Sequence, residues 1–188
     1  MNHLGTVRLE TERLILRKFE EKDIESFHEN WGIDAKTHEH DWYYKINTIE
    51  DTKKIIYEML ERYNMFPLHS YKWVIELKSN HEVIGNIGVN IFAEQHQLVE
   101  IGYSLSSKYF RQGLMTEALT KVVDFLLNDV GVRIIVANAD SDNIASINLL
   151  KKVGFNMDAT LPERKVSKKS GKVVDSCTFS IINKNFKG

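Results

Sequence analysis

The stretch EIGYSLSSKYFRQGLMTEA, Glu100 to Ala118, predicts a strand, a tight turn and a helix in direct succession. The turn holds one cation, Arg111, and one glycine, Gly113. A helix that begins directly after such a turn leaves its first backbone N–H groups unpaired, and the helix dipole strengthens their attraction for anions. Gly113 also lets the backbone approach a phosphate with no Cβ in the way. Because a single glycine before a helix is more often a simple turn, this stretch alone indicates a phosphate site only weakly.

Two common nucleotide-binding motifs are missing from the chain. No G-x-G-x-x-G occurs, so the turn is not a dinucleotide fingerprint, and no Gly-Lys-Ser/Thr follows it as in a P-loop. An anion bound at this turn therefore belongs to another class of ligand.

The composition fits one soluble domain spanning residues 1–188, with 43% hydrophobic residues. The 25 basic and 26 acidic residues give a net charge of −1, which argues against a general nucleic-acid binder. The single cysteine, Cys177, excludes an intrachain disulfide. The N-terminal residues carry no apolar core of signal-peptide length, and no run approaches the ~18 apolar residues of a spanning helix. We therefore expect a cytoplasmic protein with no membrane partner.

Hydrophobic periodicity predicts a helix-rich start, an antiparallel meander and then a βαβ unit. In that unit the fourth strand alternates, so that Glu100, Gly102 and Ser104 share one face while Ile101, Tyr103 and Leu105 share the other. The predicted strands are 9–17, 71–77, 82–90, 98–105, 132–139 and 172–179, and the predicted helices are 24–31, 48–63, 116–127 and 144–153.

Three stretches, in the expected order over residues 11 to 155, resemble the GCN5-related N-acetyltransferases. Glu-Ile-Gly-Tyr followed by Arg-Gln-Gly-Leu-Met-Thr-Glu-Ala resembles the acetyl-CoA-binding core of that family. Thr-Glu-Arg-Leu-Ile-Leu-Arg, residues 11–17, resembles the opening of the branch that contains ribosomal-protein N-terminal (RimJ/RimL-like) acetyltransferases. Asn-x-x-Ser-x-x-Leu-Leu-x-Lys-x-Gly-Phe, residues 143–155, resembles the family's helix after the fifth strand.

The resemblance implies an α+β fold and a direct acetyl transfer from acetyl-CoA to an amine. The sheet would be twisted and mostly antiparallel, flanked by about four helices, and its parallel fourth and fifth strands would splay around the pantetheine arm. Two positions depart from the family pattern. Met115 stands where Gly or Ala is usual, and Leu150 stands where many relatives carry a Tyr acid.

By the same resemblance, the backbone N–H of Leu105 would donate to the thioester oxygen, and no metal is expected. The diphosphate would lie on the N–H groups of residues 111 to 116. The expected cofactor contacts are Tyr103, Leu105, Arg111, Gln112, Gly113, Leu114, Met115, Thr116, Asn138, Asn143, Ser146 and Lys152.

Glu100 is the first candidate for the base that removes the amine proton, directly or through a water. An α-amine, with a pKa near ~7.8, is roughly one-third neutral at cytoplasmic pH, so it needs only a modest base. A solvent-facing strand carboxylate is an equally good interpretation of Glu100. Since Leu150 carries no proton, Ser146 on the same helix face is the candidate donor to the leaving thiolate, although it could equally be a small packing residue.

The loop after the first helix is dense in histidine and aromatic residues. The resemblance implies that this loop shapes the acceptor pocket, with Trp31, His40 and Trp42 as substrate contacts. The pattern His38-x-His40-Asp41 could ligate a metal, but no further cluster of ligands accompanies it in the sequence.

Three functions remain open at this point. They are acetylation of a protein N-terminus, acetylation of a small amine such as an antibiotic, polyamine or amino acid, and non-catalytic acyl-CoA binding. The expected partners are acetyl-CoA and the amine acceptor, with the chain a monomer or a homodimer.

Overall fold

The computed structural model describes residues 1–40, 46–64 and 70–186, which form one eight-stranded sheet with helices on both faces. The strands are β1 (Leu9–Glu10), β2 (Leu14–Arg17), β3 (Ser70–Leu77), β4 (Val83–Ala93), β5 (Leu98–Leu105), β6 (Ile134–Asp140), β7 (Asn156–Val166) and β8 (Val173–Ile182). The helices are α1 (Asp23–Phe27), α2 (Ile49–Arg62), α3 (Leu114–Phe125) and α4 (Ile144–Val153); π-helical turns, His28–Gly32 and Leu126–Val130, continue α1 and α3.

The sheet order is β1-β2-β3-β4-β5-β6-β8-β7, and only β5 and β6 pair in parallel. Their register runs from Leu98 opposite Ile134 to Glu100 opposite Val136 and then stops, although both strands continue. The strands therefore diverge toward their carboxyl ends. We call this gap, between residues 101–105 and 137–140, the fork. It confirms the predicted parallel pair and its splay.

The two faces of the sheet carry different cores. The larger core lies under α3 and α4 and includes Trp73, Ile101 and Phe179. The smaller core lies under α1 and α2 and includes Trp31 and Val74. Because Ile101, Tyr103 and Leu105 belong to or pack on the larger core, Gly102 and Ser104 face the α1 and α2 side, as the alternation predicts.

A buried ion network joins β2, α1 and β3. Both terminal nitrogens of Arg17 donate to Asp23 at 2.8 Å, and its Nε donates to Glu76 at 2.6 Å. All three side chains are buried. The last arginine of the Thr-Glu-Arg-Leu-Ile-Leu-Arg motif is therefore structural, since removal of one partner would leave a buried charge uncompensated.

Three elements differ from the sequence prediction. The predicted strand 9–17 is two short antiparallel strands joined by a turn at 11–13, and α3 begins at Leu114 rather than 116. β7 was not predicted, because almost every residue of this edge strand is exposed and no hydrophobic alternation marks it. Within the described residues, no helix is long and apolar enough to cross a membrane.

Candidate active site

The end of β5 turns backbone groups into the fork. The Ser106 N–H donates to the Ile84 carbonyl at 2.8 Å, and Gly85 pairs with Leu105. In an antiparallel ladder this pattern marks Gly85 and Leu105 as a non-hydrogen-bonded pair, so the N–H and C=O of Leu105 point away from β4. By the same alternation, the backbone N–H and C=O of Tyr103 also point away from β4. Leu105 thus has the direction required of a donor to a thioester in the fork.

The turn before α3 and the first residues of that helix comprise residues 110–116, which we call the phosphate loop because the sequence predicts a diphosphate there. Arg111 and Gly113 both adopt left-handed backbone conformations, with φ of 61° and 77°. The first helical bond runs from the Glu117 N–H to the Gly113 carbonyl, so the N–H groups of residues 114–116 precede the ladder of α3. Leu114 and Met115 have buried side chains and can serve an anion only through their backbone.

The turn between β1 and β2 braces the phosphate loop. Arg13 donates from Nη1 to the Gln112 carbonyl at 3.0 Å and from Nε to Glu117 at 2.7 Å. The Thr11 hydroxyl donates to the same carboxylate at 2.5 Å. Partial burial would raise the pKa of Glu117, but these bonds from Thr11 and Arg13 lower it, so the carboxylate stays ionised. These hydrogen bonds give the Thr-Glu-Arg-Leu-Ile-Leu-Arg stretch, residues 11–17, a supporting role that sequence analysis did not identify.

Two hydroxyl groups meet between β5 and α4. The Tyr103 hydroxyl lies 2.7 Å from Ser146 Oγ, while the Ser146 N–H donates to the Asn143 side chain, which caps α4. Burial raises the pKa of Tyr103 to about 12, so its proton is retained at neutral pH. Leu150, in the position of the usual Tyr acid, is fully buried. The hydroxyl pair carries exchangeable protons on this face of the fork.

Glu100 lies at the base of the fork on the opposite face of β5. The Asn138 amide nitrogen donates to its Oε1 at 2.9 Å, and the Thr178 hydroxyl donates to the Asn138 amide oxygen at 2.9 Å. The structure thus brings Asn138, expected as a cofactor contact, to Glu100. This chain of hydrogen bonds orients the carboxylate.

The surface beside Glu100 is open and polar. A Cβ built on Gly102 would meet nothing within 4 Å, so the centre of this surface is free space. Ser104 Oγ, in the next position on the same face, is buried and has no hydrogen-bond partner among the described residues. Neither residue was singled out as a site from the sequence, although the alternation placed both on the face of Glu100.

Residues 34–40, which we call the strap, cross the carboxyl ends of β5 and β6. The Thr37 hydroxyl donates to the Leu105 carbonyl at 3.0 Å, and the Ser107 N–H donates to Asp34 at 2.9 Å. Partial burial would raise the pKa of Asp34, but hydrogen bonds from Ser107, Thr37 and Lys36 lower it to about 2. At the other end of the strap, His40 lies against the end of β6.

Comparison with known proteins decides the family. A model of the acetyltransferase (GNAT) domain matches residues 13–156, which include the fork, the phosphate loop and α4. The chain belongs to the GNAT acetyltransferase family. It is an acyltransferase, and acetyl-CoA is its co-substrate.

One curated relative and two solved structures represent the GNAT proteins that this chain resembles. The uncharacterized N-acetyltransferase YoaA of Bacillus subtilis (strain 168) is 31% identical over 176 residues, which are 93% of this chain and 96% of YoaA. The ribosomal-protein-S5-alanine acetyltransferase from Vibrio fischeri has a TM-score of 0.81 at 22% identity, covering 97% and 100% of the two chains. The microcin C7 self-immunity acetyltransferase MccE, solved with acetyl-CoA and AMP, has a TM-score of 0.75 at 21% identity, covering 92% and 93%. At these identities the two structures show the shared fold.

Two of the three predicted acceptor contacts of this GNAT protein, Trp31 and His40, lie among the described residues. Trp31 is only 1% exposed and packs on Phe27 with ring centroids 4.2 Å apart, so it is a core residue, contrary to the sequence expectation. His40 belongs to the strap, and Trp42 lies outside the described residues. Lys152, an expected cofactor contact, is exposed in the last turn of α4.

Proposed function

We propose that this GNAT enzyme acetylates the α-amine of a protein N-terminus, as in the ribosomal-protein branch of the family. The observation that carries the proposal is Glu100, oriented by Asn138 at the base of the fork and adjoining the open surface at Gly102. An amine that approaches over Gly102 would meet this carboxylate directly or through one water. The name of the Vibrio fischeri structure supports the same class of acceptor.

The chemistry of the acceptor favours an α-amine over a lysine. A lysine ammonium, with a pKa near ~10.4, would require about 3.5 kcal/mol more help to reach its neutral form than an α-amine near ~7.8. Glu100, the carboxylate next to Gly102 on this face of β5, is partly exposed. A partly exposed carboxylate is a sufficient base for an α-amine, which loses its proton more readily than a lysine does.

In the proposed reaction, the neutral amine attacks the thioester carbon as Glu100 accepts its proton. The Leu105 N–H donates to the carbonyl oxygen while negative charge develops there, which is the stabilisation that acyl transfer needs most. The carbon–sulfur bond then breaks, and Ser146, backed by the Tyr103 hydroxyl, donates to the leaving thiolate. Arg111 and the backbone of the phosphate loop hold the diphosphate.

Positive charge on one surface beside the strap disfavours the entry of a polycationic acceptor, such as a polyamine or an aminoglycoside, from that side. A surface depression beside the strap is lined by Lys36, Lys168 and Lys169 together with Glu39. Lysine side chains repel a polycation that enters from this side.

An assay of thiol release from acetyl-CoA tests the proposal. The acceptor panel contains peptides with free N-termini, the same peptides with blocked N-termini and one internal lysine, polyamines, free amino acids and aminoglycosides. We expect turnover on the free N-termini. Turnover confined to the small amines would refute the proposal, and so would turnover on the blocked peptides alone.

A further inference from the structure

Three potential metal ligands meet where the strap reaches the end of β6. We call His40, Asp140 and Asp142 the His40 cluster. His40 Nδ1 lies 3.6 Å from Asp140 Oδ2 and 3.5 Å from Asp142 Oδ1, and one ligand atom from each residue falls within 4.8 Å of the others. His40 lies about 100 positions before the two aspartates in the sequence, and the fold brings it to them.

Three polar atoms of the cluster, one from each residue, are buried and have no hydrogen-bond partner among the described residues. The Asp140 side chain is 1% exposed; its Oδ1 pairs with Lys165 Nζ at 2.8 Å, and its Oδ2 accepts no hydrogen bond from a described residue. The same holds for His40 Nδ1 and Asp142 Oδ1, which face the same point. Buried polar atoms without partners are costly, so three such atoms around one point favour a cation there.

The charges around the cluster do not fully neutralise its two carboxylates. Lys165 Nζ lies 2.8 Å from Asp140 Oδ1, which places one positive charge against two carboxylates. The second oxygen of Asp142 accepts from the Ser167 hydroxyl at 2.6 Å. With neutral His40 the group therefore keeps one net negative charge, and its excess lies on the side of Asp140 Oδ2 and Asp142 Oδ1.

The spacing suits a transition-metal ion. With Zn–N and Zn–O bonds of about 2.0–2.2 Å, two ligands of a tetrahedral zinc ion are roughly 3.4 Å apart. The two distances from His40 Nδ1, 3.5 and 3.6 Å, lie close to that value. One imidazole nitrogen and two carboxylate oxygens form a donor set suited to Zn²⁺ and to similar divalent ions.

We propose that His40, Asp140 and Asp142 bind one divalent transition-metal ion of the Zn²⁺ type. The sequence predicted no metal, because neither aspartate is near His40 in the chain. The ion joins the strap to the carboxyl end of β6, while Thr37 already joins it to the carboxyl end of β5. Binding at the His40 cluster therefore fixes the strap on both sides of the fork.

Titration of the full, metal-free chain with Zn²⁺ or Co²⁺ alone tests the site. Isothermal calorimetry should show one equivalent of Zn²⁺ bound, Co²⁺ should develop the visible absorption of a tetrahedral complex, and Zn²⁺ should raise the unfolding temperature. Removing an outer partner of a metal-bound histidine costs about 10–100-fold in affinity. Loss of a ligand in His40→Ala or Asp142→Asn should therefore weaken Zn²⁺ binding at least tenfold.

Matched controls separate the site from surface binding. His96→Ala and Asp158→Asn change exposed residues outside the cluster and should bind Zn²⁺ as the parent chain does. Circular dichroism establishes that each variant is folded, and the partly exposed positions 40 and 142 make folded variants attainable. The proposal is overturned if the parent chain binds no stoichiometric metal, as expected when a protonated His40 together with Lys165 neutralises the carboxylates, or if His40→Ala binds like the parent.

Discussion

At the scale of single residues, the account depends most on the Glu100 carboxylate. Its replacement in Glu100→Gln keeps the shape and the contact with Asn138 but removes the base. General bases contribute about 10²–10⁴-fold to rate, so kcat on an N-terminal peptide should fall by that factor while the affinity for acetyl-CoA is unchanged. Steady-state kinetics and calorimetry with CoA measure the two quantities.

Glu58→Gln is the matched control for this prediction, because Glu58 is an exposed carboxylate on α2. It should leave both quantities as in the parent enzyme. A Glu100→Gln enzyme with full kcat would show that the amine loses its proton without this side chain.

The hydroxyl pair of Tyr103 and Ser146 makes a second prediction. If the two hydroxyls act as one donor to the thiolate, Tyr103→Phe and Ser146→Ala should each lower kcat, and the double variant should be no slower than the worse single variant. Single-turnover rates at saturating acetyl-CoA measure the chemical step. Additive losses would contradict the shared role and indicate two independent packing effects.

At the scale of elements, the turn between β1 and β2 supports the phosphate loop. Arg13→Ala removes its bonds to the Gln112 carbonyl and to Glu117. Bonds of this kind contribute about 1–1.5 kcal/mol, so KM for acetyl-CoA should rise about 5–10-fold with kcat nearly unchanged. Arg164→Ala, which changes an exposed arginine of β7, is the control. A fall in kcat at unchanged KM would refute the bracing role.

The anchor of the strap at Asp34 predicts a pH-dependent contribution to stability. Its pKa is lowered from 3.8 to about 2, so the contribution is complete above about pH 4 and disappears as pH falls toward 2. Asp34→Asn should therefore lower the free energy of unfolding by about 1–2 kcal/mol at pH 7. Urea titrations at several pH values should show the difference from the parent shrinking between about pH 4 and pH 2, with Asp158→Asn as control. A difference that persists at pH 2 would contradict this assignment.

An element could be predicted when the residues that specify it lie within one short stretch of sequence. The phosphate loop and α3 were predicted because Gly113 and the apolar stripe of the helix lie within one short stretch. α2 began where expected, since Thr48 and Asp51 form a capping box. β7 escaped prediction because it is an exposed edge strand that contains Pro162 and two register shifts in its pairing with β8. Period-two alternation has no meaning for a strand that buries neither face.

At the scale of the whole molecule, the two faces of the sheet carry different parts of the proposed site. The α3 and α4 face supplies the phosphate loop and the hydroxyl pair, the opposite face supplies Glu100 and the open surface at Gly102, and the fork connects them. Sequence analysis predicted from the alternation of β5 that Glu100 and Gly102 lie on one face and Tyr103 and Leu105 on the other. It did not anticipate contacts between distant residues, such as Tyr103 with Ser146 or His40 with Asp140, because no local pattern records which side chains the fold brings together.

The position of the transferred acetyl group tests the central claim most directly. A peptide with a free N-terminus and one internal lysine is incubated with acetyl-CoA and the enzyme, and tandem mass spectrometry locates the added group. The account predicts acetylation of the α-amine, lost in Glu100→Gln. Acetylation of the lysine side chain, or of neither amine by an enzyme that acetylates a small amine under the same conditions, would contradict it.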